Sequence, residues 1–490
     1  MNPMSLLNQL HRWVGESRRN QLLAAGAALV AVGLAAVGVV LALSGDGDGL
    51  GEVVVHTTTQ SPSPSSTRPS RAPELTATPA VITEPEFQGT IYFSSFDVEA
   101  QQHVVHSVRP DGTGLTIVAT LPSGALGFSL SPNAELLAFT GGSTEADDDI
   151  YTLSIASGIV TNITNTPRQP TLTNDESMLG WSPDGKLAAI KTHHLPIPPG
   201  PGDYDSLELI APDGSGRQSL IPEDFFLRTP AVITSLDWSS AGDAFVFRML
   251  TAADEAQGGH LFLMKSDGSG MKDISGPILN SDVGGASWRP DGQAVAMSLA
   301  NAGLYLLDVS GYEQRGSTQL QAALSAYEIK WSLSGSMLAI WGPGGLAVMD
   351  ATGADLKTVA NDFRPGSGFA WSPGGDEIAY VALGGPCAEG CPPGPLTLVN
   401  ASGTRFRALT EMPIDAVLGW FPELGEITEN LNIRSEPSIG SPVIGSLEKG
   451  DRVGLLGQVQ GEEAEPGSGN RVWYKTSRGY VYSAYVRRQP

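Results

Sequence analysis

Paired carboxylates are the residues of this 490-residue chain whose type and spacing best suit catalysis. Asp203 and Asp205 form one pair, and Glu223 and Asp224 form a second. Glycoside hydrolysis needs two carboxyl groups about 5–10 Å apart, one of which donates a proton while the other attacks or activates water. Hydrolysis of a glycan is therefore an enzymatic hypothesis, and it requires both members of a pair to face one cleft.

Metal-binding residue types occur in two short runs, and neither predicts a metal site. Residues 147–149 are three adjacent aspartates without the alternate spacing of a calcium loop, and we interpret them as a solvated loop. His193 and His194 have no cysteine or nearby carboxylate to complete a zinc site. The sequence also lacks Gly-x-Ser-x-Gly, Walker and His-Glu-x-x-His motifs. We predict no catalytic residue, no metal and no cofactor.

The chain has two cysteines, Cys387 and Cys391, in a segment rich in glycine and proline. Two nearby cysteines in an exported chain favour a disulfide. A redox-active pair more typically has two intervening residues, whereas this pair has three. We therefore predict a structural disulfide that stabilises its own loop.

The elements that would position these side chains are repeats. Six of the nine tryptophans occupy the same place in a recurring phrase, of which Trp181 followed by Ser-Pro-Asp-Gly is the clearest copy. Proline and aspartate favour a turn, and glycine accepts its left-handed position, so the phrase joins two short strands. The six are Trp181, Trp238, Trp288, Trp331, Trp371 and Trp420, with spacings of 40 to 57 residues.

A second hairpin in each repeat indicates how the fold closes. Its turn, as at Asp213 and Gly214, occurs seven times, whereas the first hairpin is complete only six times. The chain enters at Thr90 on what is already a second strand, and residues 417–421 supply the missing first strand. We predict an all-β fold in which seven four-stranded sheets close into a ring, with Trp420 beside Ile91.

The phrases Trp-Ser-Pro-Asp-Gly and Leu-x-Leu-x-x-x-Asp-Gly-Ser-Gly resemble the repeats of TolB-like, WD-type β-propellers across residues 89–422. The resemblance implies a propeller fold, here with seven blades, and recognition of a protein or peptide. The tryptophans are predicted to fill the wedges between neighbouring sheets, because large buried aromatic rings dominate such cores. A ring of exposed, sugar-binding tryptophans is the alternative.

Residues 426–490 predict a second module of short alternating strands separated by glycine and proline turns. The order of its segments resembles the bacterial SH3-like (SH3b) domains of exported proteins. Glu436 and Tyr480 depart from that family, which usually has glycine and tryptophan there, and the loop 462–470 is long. The resemblance implies a small β-barrel that binds cell-wall peptide or glycan.

Aromatic residues of this module are the candidate ligand contacts. Because side chains alternate along a strand, Tyr480 and Tyr482 share one face while Val481 takes the other. One face must be core, so only some of the tyrosines can line a groove. We predict that Tyr482 or Tyr485, with Tyr480, touches a ligand and that Trp473 is buried.

Two segments precede the propeller. Residues 21–44 predict a transmembrane helix, because Leu22 to Leu43 carry no charge and are long enough to cross a bilayer. Arginines before it and acids after it place a tail, residues 1–20, in the cytoplasm. A cleaved signal peptide is the alternative. Residues 45–88 are rich in serine, threonine and proline and predict a disordered stalk.

The net charge of −23 bears on which partners the protein can bind. Residues 89–425 carry 37 acids against 16 bases, whereas residues 426–490 carry eight of each. Such acidity disfavours nucleic acid, since phosphate binding requires lysine and arginine, and we predict no nucleic-acid partner. It is compatible with cationic peptides or divalent ions, although surface acidity is more often a solubility feature.

We therefore predict a non-enzymatic, single-pass membrane protein whose bulk lies outside the cytoplasm. Its propeller recognises a protein or peptide, and its SH3-like domain docks on the cell wall. A propeller hydrolase acting on envelope glycan is the alternative. A signalling sensor is disfavoured, because a tail of about twenty residues is too short for an output domain.

Overall fold

The computed structural model describes most of the chain after residue 88. The predicted cytoplasmic tail, transmembrane helix and stalk all lie outside the described residues. Within the described part, no helix is both long and apolar enough to span a membrane. The described ranges are 89–141, 149–165, 174–193, 204–221, 231–251, 259–275, 283–300, 302–322, 324–387, 391–476 and 478–488.

The described residues from 89 to 421 form seven four-stranded antiparallel sheets, which we number as blades in chain order. Blade 1 contains β1 (Thr90–Asp97), β2 (Gln102–Val108) and β3 (Thr116–Thr120). Blade 2 contains β4 (Leu126–Leu130), β5 (Leu136–Gly141), β6 (Asp149–Ser154) and β7 (Val160–Asn162). Blade 3 contains β8 (Asn174–Trp181), β9 (Leu187–His193), β10 (Tyr204–Ile210) and β11 (Gln218–Ser219). Blade 4 contains β12 (Ala231–Trp238), β13 (Ala244–Thr251), β14 (His260–Lys265) and β15 (Lys272–Asp273).

The remaining blades follow the same plan, and the last strand of the ring returns to blade 1. Blade 5 contains β16 (Val283–Trp288), β17 (Ala294–Leu299), β18 (Gly303–Asp308) and β19 (Gly316–Gln321). Blade 6 contains β20 (Glu328–Trp331), β21 (Met337–Gly342), β22 (Gly345–Asp350) and β23 (Lys357–Ala360). Blade 7 contains β24 (Phe369–Trp371), β25 (Glu377–Leu383), β26 (Pro393–Asn400) and β27 (Phe406–Ala408). The innermost strand of blade 1 is β28 (Ala416–Phe421).

Strand β28 closes the ring. It pairs antiparallel with β1, and Ile91 lies opposite Trp420, as the two unequal hairpin counts predict. Each innermost strand also contacts the innermost strand of the next blade, from β4 round to β28 and back to β4. The predicted circular closure is therefore confirmed, and its first and last strands lie side by side.

Tryptophans join each blade to the one before it. Trp288, Trp331 and Trp371 are at most 7% exposed. The indole N–H of Trp331 donates to the carbonyl of Ser287 in blade 5 at 3.2 Å. That of Trp371 donates to the carbonyl of Lys330 in blade 6 at 3.0 Å. All three tryptophans are therefore packing residues, and Trp331 and Trp371 are also held by a directed hydrogen bond to the preceding blade. The sugar-binding alternative is not supported for these three.

The Ser-Pro-Asp-Gly phrase is explained by its turn. Ser239 and Ser372 are at most 4% exposed. The Ser239 hydroxyl donates to the Asp243 carboxylate at 2.7 Å, and the Ser372 hydroxyl donates to Asp376 at 2.8 Å. The same Ser372 oxygen accepts from the backbone N–H of Asp376 at 3.1 Å. These serines satisfy buried polar groups inside each hairpin, as buried polar groups must be.

Two separate constraints require glycine in the turn of the second hairpin. Gly214 and Gly268 have φ of 82° and 86°, where a Cβ is unfavourable. A Cβ on Gly214 would also lie 2.9 Å from the carbonyl oxygen of Ile163, and one on Gly268 would lie 2.9 Å from that of Leu220. Both carbonyls belong to the preceding blade, so these turns need glycine for blade packing as well as for backbone conformation.

A buried carboxyl group also joins two blades. The carboxylate of Asp237, on β12, accepts the backbone N–H of Trp288 on β16 at 2.6 Å. Burial raises the pKa of Asp237 to about 6, against the opposing effects of the Trp288 and Ser287 hydrogen bonds and of the Lys330 charge. This carboxyl group therefore takes up a proton more readily in the folded state than in the unfolded chain.

Residues 423–488, which we call the barrel, form two further sheets, of three and five strands. Ile427, Ile433, Leu455 and Val481 lie in its core and are fully buried. Two short 3₁₀ turns, Ser310–Tyr312 in the propeller and Ser483–Tyr485 in the barrel, are the helical elements of the described residues. The barrel strands are β29 (Glu423–Ile427), β30 (Leu431–Arg434), β31 (Val443–Leu447), β32 (Arg452–Leu455), β33 (Gly457–Gln460), β34 (Val472–Thr476), β35 (Gly479–Tyr482) and β36 (Val486–Arg488).

Pro422 alone separates the closing strand β28 from the first barrel strand β29. Across this junction the Arg452 guanidinium pairs with the Glu135 carboxylate in the first turn of blade 2. A Cβ on Gly454 would lie 2.7 Å from the Pro422 ring, so the barrel packs closely on the junction. Propeller and barrel belong to one compact unit, Glu86–Pro490.

Substituting Gly268→Ala tests the blade-packing role of the second turn. We expect a loss of about 2–4 kcal/mol in the free energy of unfolding, from left-handed strain plus the contact with Leu220. Gly270→Ala is the matched control, because its φ is 70° and no atom lies within 4 Å of the added Cβ. The control should lower the free energy of unfolding by the backbone strain alone, about 1–2 kcal/mol. Equal losses in urea denaturation would contradict the packing role.

Substituting Asp237→Asn tests the buried carboxyl group through pH. Because its folded-state pKa lies above the ordinary value of 3.8, its contribution to stability falls as pH rises from about 4 to about 6. Denaturant titrations at successive pH values measure the effect. Relative to the wild type, the free energy of unfolding of the variant should rise by on the order of 1–3 kcal/mol across that window. Asp111→Asn is the control of opposite sign: hydrogen bonds from Thr113 lower the pKa of Asp111, so its stabilisation is lost as pH falls below about 4.

Candidate functional site

The structure separates the three candidate tyrosines of the barrel. Tyr480 and Tyr482 project from the same face of β35, and Val481 between them lies in the barrel core. Tyr485 lies on the 3₁₀ turn that follows. Tyr482 is only 4% exposed, whereas Tyr480 and Tyr485 are half-buried. The surface of the barrel therefore presents Tyr480 and Tyr485 but hardly Tyr482.

A loop covers the remaining aromatic residues. Residues 461–471, which we call the covering loop, include the segment whose length stands out in the sequence. Trp473 is 1% exposed, as predicted, and its indole N–H donates to the carbonyl of Glu462 at 2.8 Å. The Tyr482 hydroxyl donates to the carbonyl of Asn470 at 3.0 Å, and its ring contacts Trp473 with centroids 5.4 Å apart. The covering loop is therefore held by hydrogen bonds from both aromatic side chains to its backbone carbonyls.

Carboxylates fasten the covering loop at its two sides. Glu462 accepts from the hydroxyl of Ser438 at 2.6 Å and from the backbone N–H of Ile439 at 3.1 Å, and the Ser438 bond is the main reason why its pKa is lowered. On the other side, the Tyr485 hydroxyl donates to Glu465, which raises the pKa of Tyr485. The surroundings of Tyr485 are therefore acidic, with its hydroxyl already engaged.

Tyr480 lies in a different environment, between two cationic residues. Sheet pairing places Arg434 of β30 directly opposite Tyr480 on one side and Lys475 of β34 opposite it on the other. Residues directly opposite in a sheet share a face and lie within about 5.5 Å of each other at Cβ. Arg434, Tyr480 and Lys475 therefore form a row on the outer face of the barrel, which we call the cationic tyrosine row.

Exposed apolar side chains extend this surface. Val443 and Ile444 on β31 are 52% and 54% exposed, and Ile439 in the preceding loop is 42% exposed. A Cβ on Gly479 would lie 2.9 Å from Ile444, which places Ile444 at the start of the strand that carries Tyr480. An aromatic ring, two cations and an apolar border suit a ligand that carries both carboxylates and apolar or sugar-ring surface.

The acidic pairs of the hydrolase hypothesis are not assembled by the described side chains. Asp203, Glu223 and Asp224 lie outside the described residues, and Asp205 is described only as backbone in β10. These pairs stay a prediction. The hypothesis depends on the separation between the carboxyl groups of each pair.

The remaining sequence candidates have structural explanations or lie outside the described part. Asp149 begins β6, and its carboxylate accepts from Asn162 at 2.7 Å and from Thr164 at 3.0 Å, so it holds the edge of blade 2. Residues 147, 148 and 194 lie outside the described ranges, as does the side chain of His193. Among the described residues, no group of three histidine, cysteine or acidic side chains could hold a metal ion.

Cys387 and Cys391 are joined in a disulfide in the loop between β25 and β26. The guanidinium Nε of Arg364, in the loop before blade 7, donates to the carbonyl of Cys391 at 3.0 Å. The disulfide loop is therefore fastened to the same end of the propeller as the loops that connect neighbouring blades.

Comparisons with known proteins agree with both parts of this architecture. Residues 429–487 match the bacterial SH3 domain family. No curated protein matches the chain.

Among solved structures, a puromycin hydrolase mutant complexed with PGG is similar at 17% identity with a TM-score of 0.50, over 75% of this chain and 57% of that chain. TolB from Acinetobacter baumannii is similar at 16% identity with a TM-score of 0.41, over 68% of this chain and 67% of that chain. An oligogalacturonate lyase in complex with manganese is similar at 13% identity with a TM-score of 0.48, over 64% of this chain and 90% of that chain.

At such low identity the likeness concerns the fold alone. The chain combines a propeller-type all-β fold with a bacterial SH3 domain at its C-terminal end.

Proposed function

We propose that this protein is an extracytoplasmic binding protein whose SH3 domain docks on the cell wall and whose propeller recognises a protein or peptide. The observation that carries the docking part is the cationic tyrosine row, Arg434, Tyr480 and Lys475, on the outer face of the domain. The family match supports a cell-wall ligand for this module.

The chemistry of the row fits a wall peptide. The face of an aromatic ring binds apolar or sugar-ring surface, and flanking cations bind carboxylates by charge-assisted hydrogen bonds. Arg434 is held in place by a hydrogen bond from its Nη1 to the carbonyl of Ser441 at 2.8 Å, so its guanidinium is oriented before a ligand arrives. Stem peptides of the bacterial wall carry free carboxylates, which this surface would bind.

Electrostatics support a different partner for the propeller. With 37 acids against 16 bases in residues 89–425, the propeller attracts cationic ligands and repels anionic ones. The SH3 domain has no net charge in residues 426–490 and can approach an anionic wall polymer. Charge therefore supports a basic protein or peptide as the partner of the propeller and the wall as that of the SH3 domain.

The two activities are mechanically connected. A single residue, Pro422, joins β28 to β29, and proline restricts the backbone at that joint. The exposed Arg452–Glu135 pair adds little stability. The close approach of Gly454 to the Pro422 ring leaves little room for movement at the joint. Docking of the SH3 domain would therefore fix the orientation of the propeller on the wall.

The membrane attachment belongs to the same proposal. Residues 21–44 would anchor the protein with residues 1–20 in the cytoplasm, and residues 45–88 would serve as a stalk. The hydrolase alternative depends on Asp203, Asp205, Glu223 and Asp224, whose side chains are outside the described part. Binding is the function that the described side chains support.

Substituting Tyr480→Ala in the full chain tests the docking surface. We expect the variant to sediment with purified, insoluble peptidoglycan about tenfold more weakly than the wild type, a loss of about 1.4 kcal/mol, because the central ring of the row is removed. Lys475→Gln should weaken binding less and make it less sensitive to salt. Phe406→Ala is the control, because Phe406 is 55% exposed on the outer edge of blade 7, away from the row.

Each outcome of the sedimentation assay decides the docking proposal. Equal binding of wild type and Tyr480→Ala, with unchanged circular dichroism, would remove the row as the docking surface. Failure of the wild type to bind peptidoglycan at all would remove the docking function. A loss with Phe406→Ala equal to that with Tyr480→Ala would mean that the assay reports nonspecific adhesion.

A further inference from the structure

Three buried polar atoms without a hydrogen-bond partner belong to the strands that close the ring and to the residue just before β28. They are Oγ of Ser94, Nδ1 of His103 and Oδ2 of Asp415, each without a partner among the described residues. A buried polar atom left unpaired costs about 1–3 kcal/mol, so a group of three requires an explanation. Ser94 is fully buried, whereas the side chains of His103 and Asp415 are 21% and 25% exposed, so the group reaches the surface at one side.

Strand pairing places the three residues together. In the pairing of β1 with β2, Phe96 lies opposite His103 and Ser94 lies opposite Val105. Alternation along the strands therefore sets Ser94, Phe96 and His103 on one face of blade 1. The backbone N–H of Asp415 donates to the carbonyl of Ser94 at 2.7 Å, which places Asp415 beside them at the start of β28.

The distance between the acceptors is informative. Nδ1 of His103 and Oδ2 of Asp415 are 3.7 Å apart, which is too long for a hydrogen bond between them. A donor placed at about 2.8 Å from each atom would satisfy both. Burial lowers the pKa of His103, which favours the neutral imidazole, and a neutral imidazole offers one ring nitrogen as an acceptor. The gap between the two residues thus fits one external donor.

The neighbouring arginine does not fill the gap. Nη1 of Arg364 donates to the backbone carbonyl of Asp415 at 2.7 Å, and its Nε donates to that of Cys391. Its guanidinium is therefore committed to backbone carbonyls. Burial raises the pKa of Asp415, and the charges of His103 and Arg364 oppose this effect only in part. Asp97, the last residue of β1, and Glu99, in the turn that follows, are exposed and add negative charge at the same end of the blade.

Aromatic rings border the group. The His103 ring lies between Phe96 and Phe128, with both centroid distances 4.9 Å. Phe96 is 39% exposed and connects the buried group with solvent. An alkyl chain could pack on Phe96 while a polar head at its end reaches the unpaired atoms, and an aromatic wall also favours a cationic head.

We propose that Ser94, His103 and Asp415 form a binding site, the amine site, for a primary ammonium group of a peptide. An ammonium group has three donors and no acceptor, which matches three acceptor atoms better than a planar guanidinium does. An anion would find no free donor in the set apart from the Ser94 hydroxyl. The inference rests on the proposed peptide-binding role of the propeller and names its site and its ligand chemistry.

Binding of small amines to the full chain tests the amine site. The probes are Nα-acetyl-lysine methylamide for a side-chain amine and glycine methylamide for a terminal amine, with Nα-acetyl-norleucine methylamide as the uncharged analogue. We expect at least one amine to bind, measured by calorimetry, and the norleucine compound to bind at least about tenfold more weakly. The comparison of the two amines identifies the source of the ammonium group.

Asp415→Asn replaces an acceptor oxygen with a donor amide and should weaken amine binding about tenfold or more. Glu411→Gln is the matched control, because it removes one exposed negative charge four residues away in the same loop and should change binding less than about twofold. Equal effects of the two substitutions would assign the attraction to the general acidic field and overturn the site. Equal binding of the lysine and norleucine compounds would also overturn it.

Two further results separate the amine site from the proposed function. A crystal structure with one water bridging the three atoms, together with no amine binding, would assign the group to a structural water and overturn the site. Peptidoglycan sedimentation of Asp415→Asn should equal that of the wild type, since Asp415 lies outside the SH3 domain. Retained wall binding without amine binding would therefore reject the amine site while leaving the docking function intact.

Discussion

The pairing of β28 with β1 is the interaction on which the rest of the structure depends. It brings Ile91 and Trp420 together across more than 300 residues of chain and completes the sheet of blade 1. Ile91, Phe93, Leu396, Ile414 and Trp420 share one buried cluster between blades 7 and 1, so opening the pair would expose this cluster to water. Burial of about 25 cal/mol per Å² of apolar surface makes such opening costly, and closure leaves few sheet edges exposed.

The same strand positions both candidate binding surfaces. Asp415 immediately precedes β28, and Pro422 immediately follows it and leads into the barrel. A strand of six residues spans roughly 20 Å, since each residue adds about 3.3 Å. The amine site and the SH3 domain therefore lie at opposite ends of one strand, on opposite faces of the ring. A ligand at one end leaves the other end free.

The ring could be predicted from the sequence because its physical demands repeat. Six of the seven blades have a tryptophan at one strand position, and each second turn has a glycine, so Trp331 and Gly268 represent whole series. The unequal numbers of first and second hairpins then required the two ends of the domain to share a sheet. Local rules, applied seven times, were sufficient for the architecture.

The sites could not be predicted in the same way, because their neighbours are distant in sequence. Tyr480, Tyr482 and Tyr485 read as one aromatic cluster, yet the covering loop encloses Tyr482 and sheet pairing alone places Arg434 beside Tyr480. His103 and Asp415 are likewise brought together by the closure of the ring. The sequence draws attention to acids that adjoin each other, whereas the buried carboxylate oxygen without a hydrogen-bond partner among the described residues belongs to a single aspartate, Asp415.

The direction of the closing strand determines at which end of the propeller the chain enters and the barrel leaves. Thr90, where the described propeller begins, pairs with Phe421, so the chain enters the propeller at the end from which the barrel leaves. A Cβ on Gly89 would lie 2.1 Å from the carbonyl oxygen of Phe421, which fixes that entry closely against the strand. The barrel and the segment that precedes residue 89 are therefore both attached at this end of β28. Asp415 lies at the other end of β28, so under the proposed function a basic peptide bound there would leave both attachments clear.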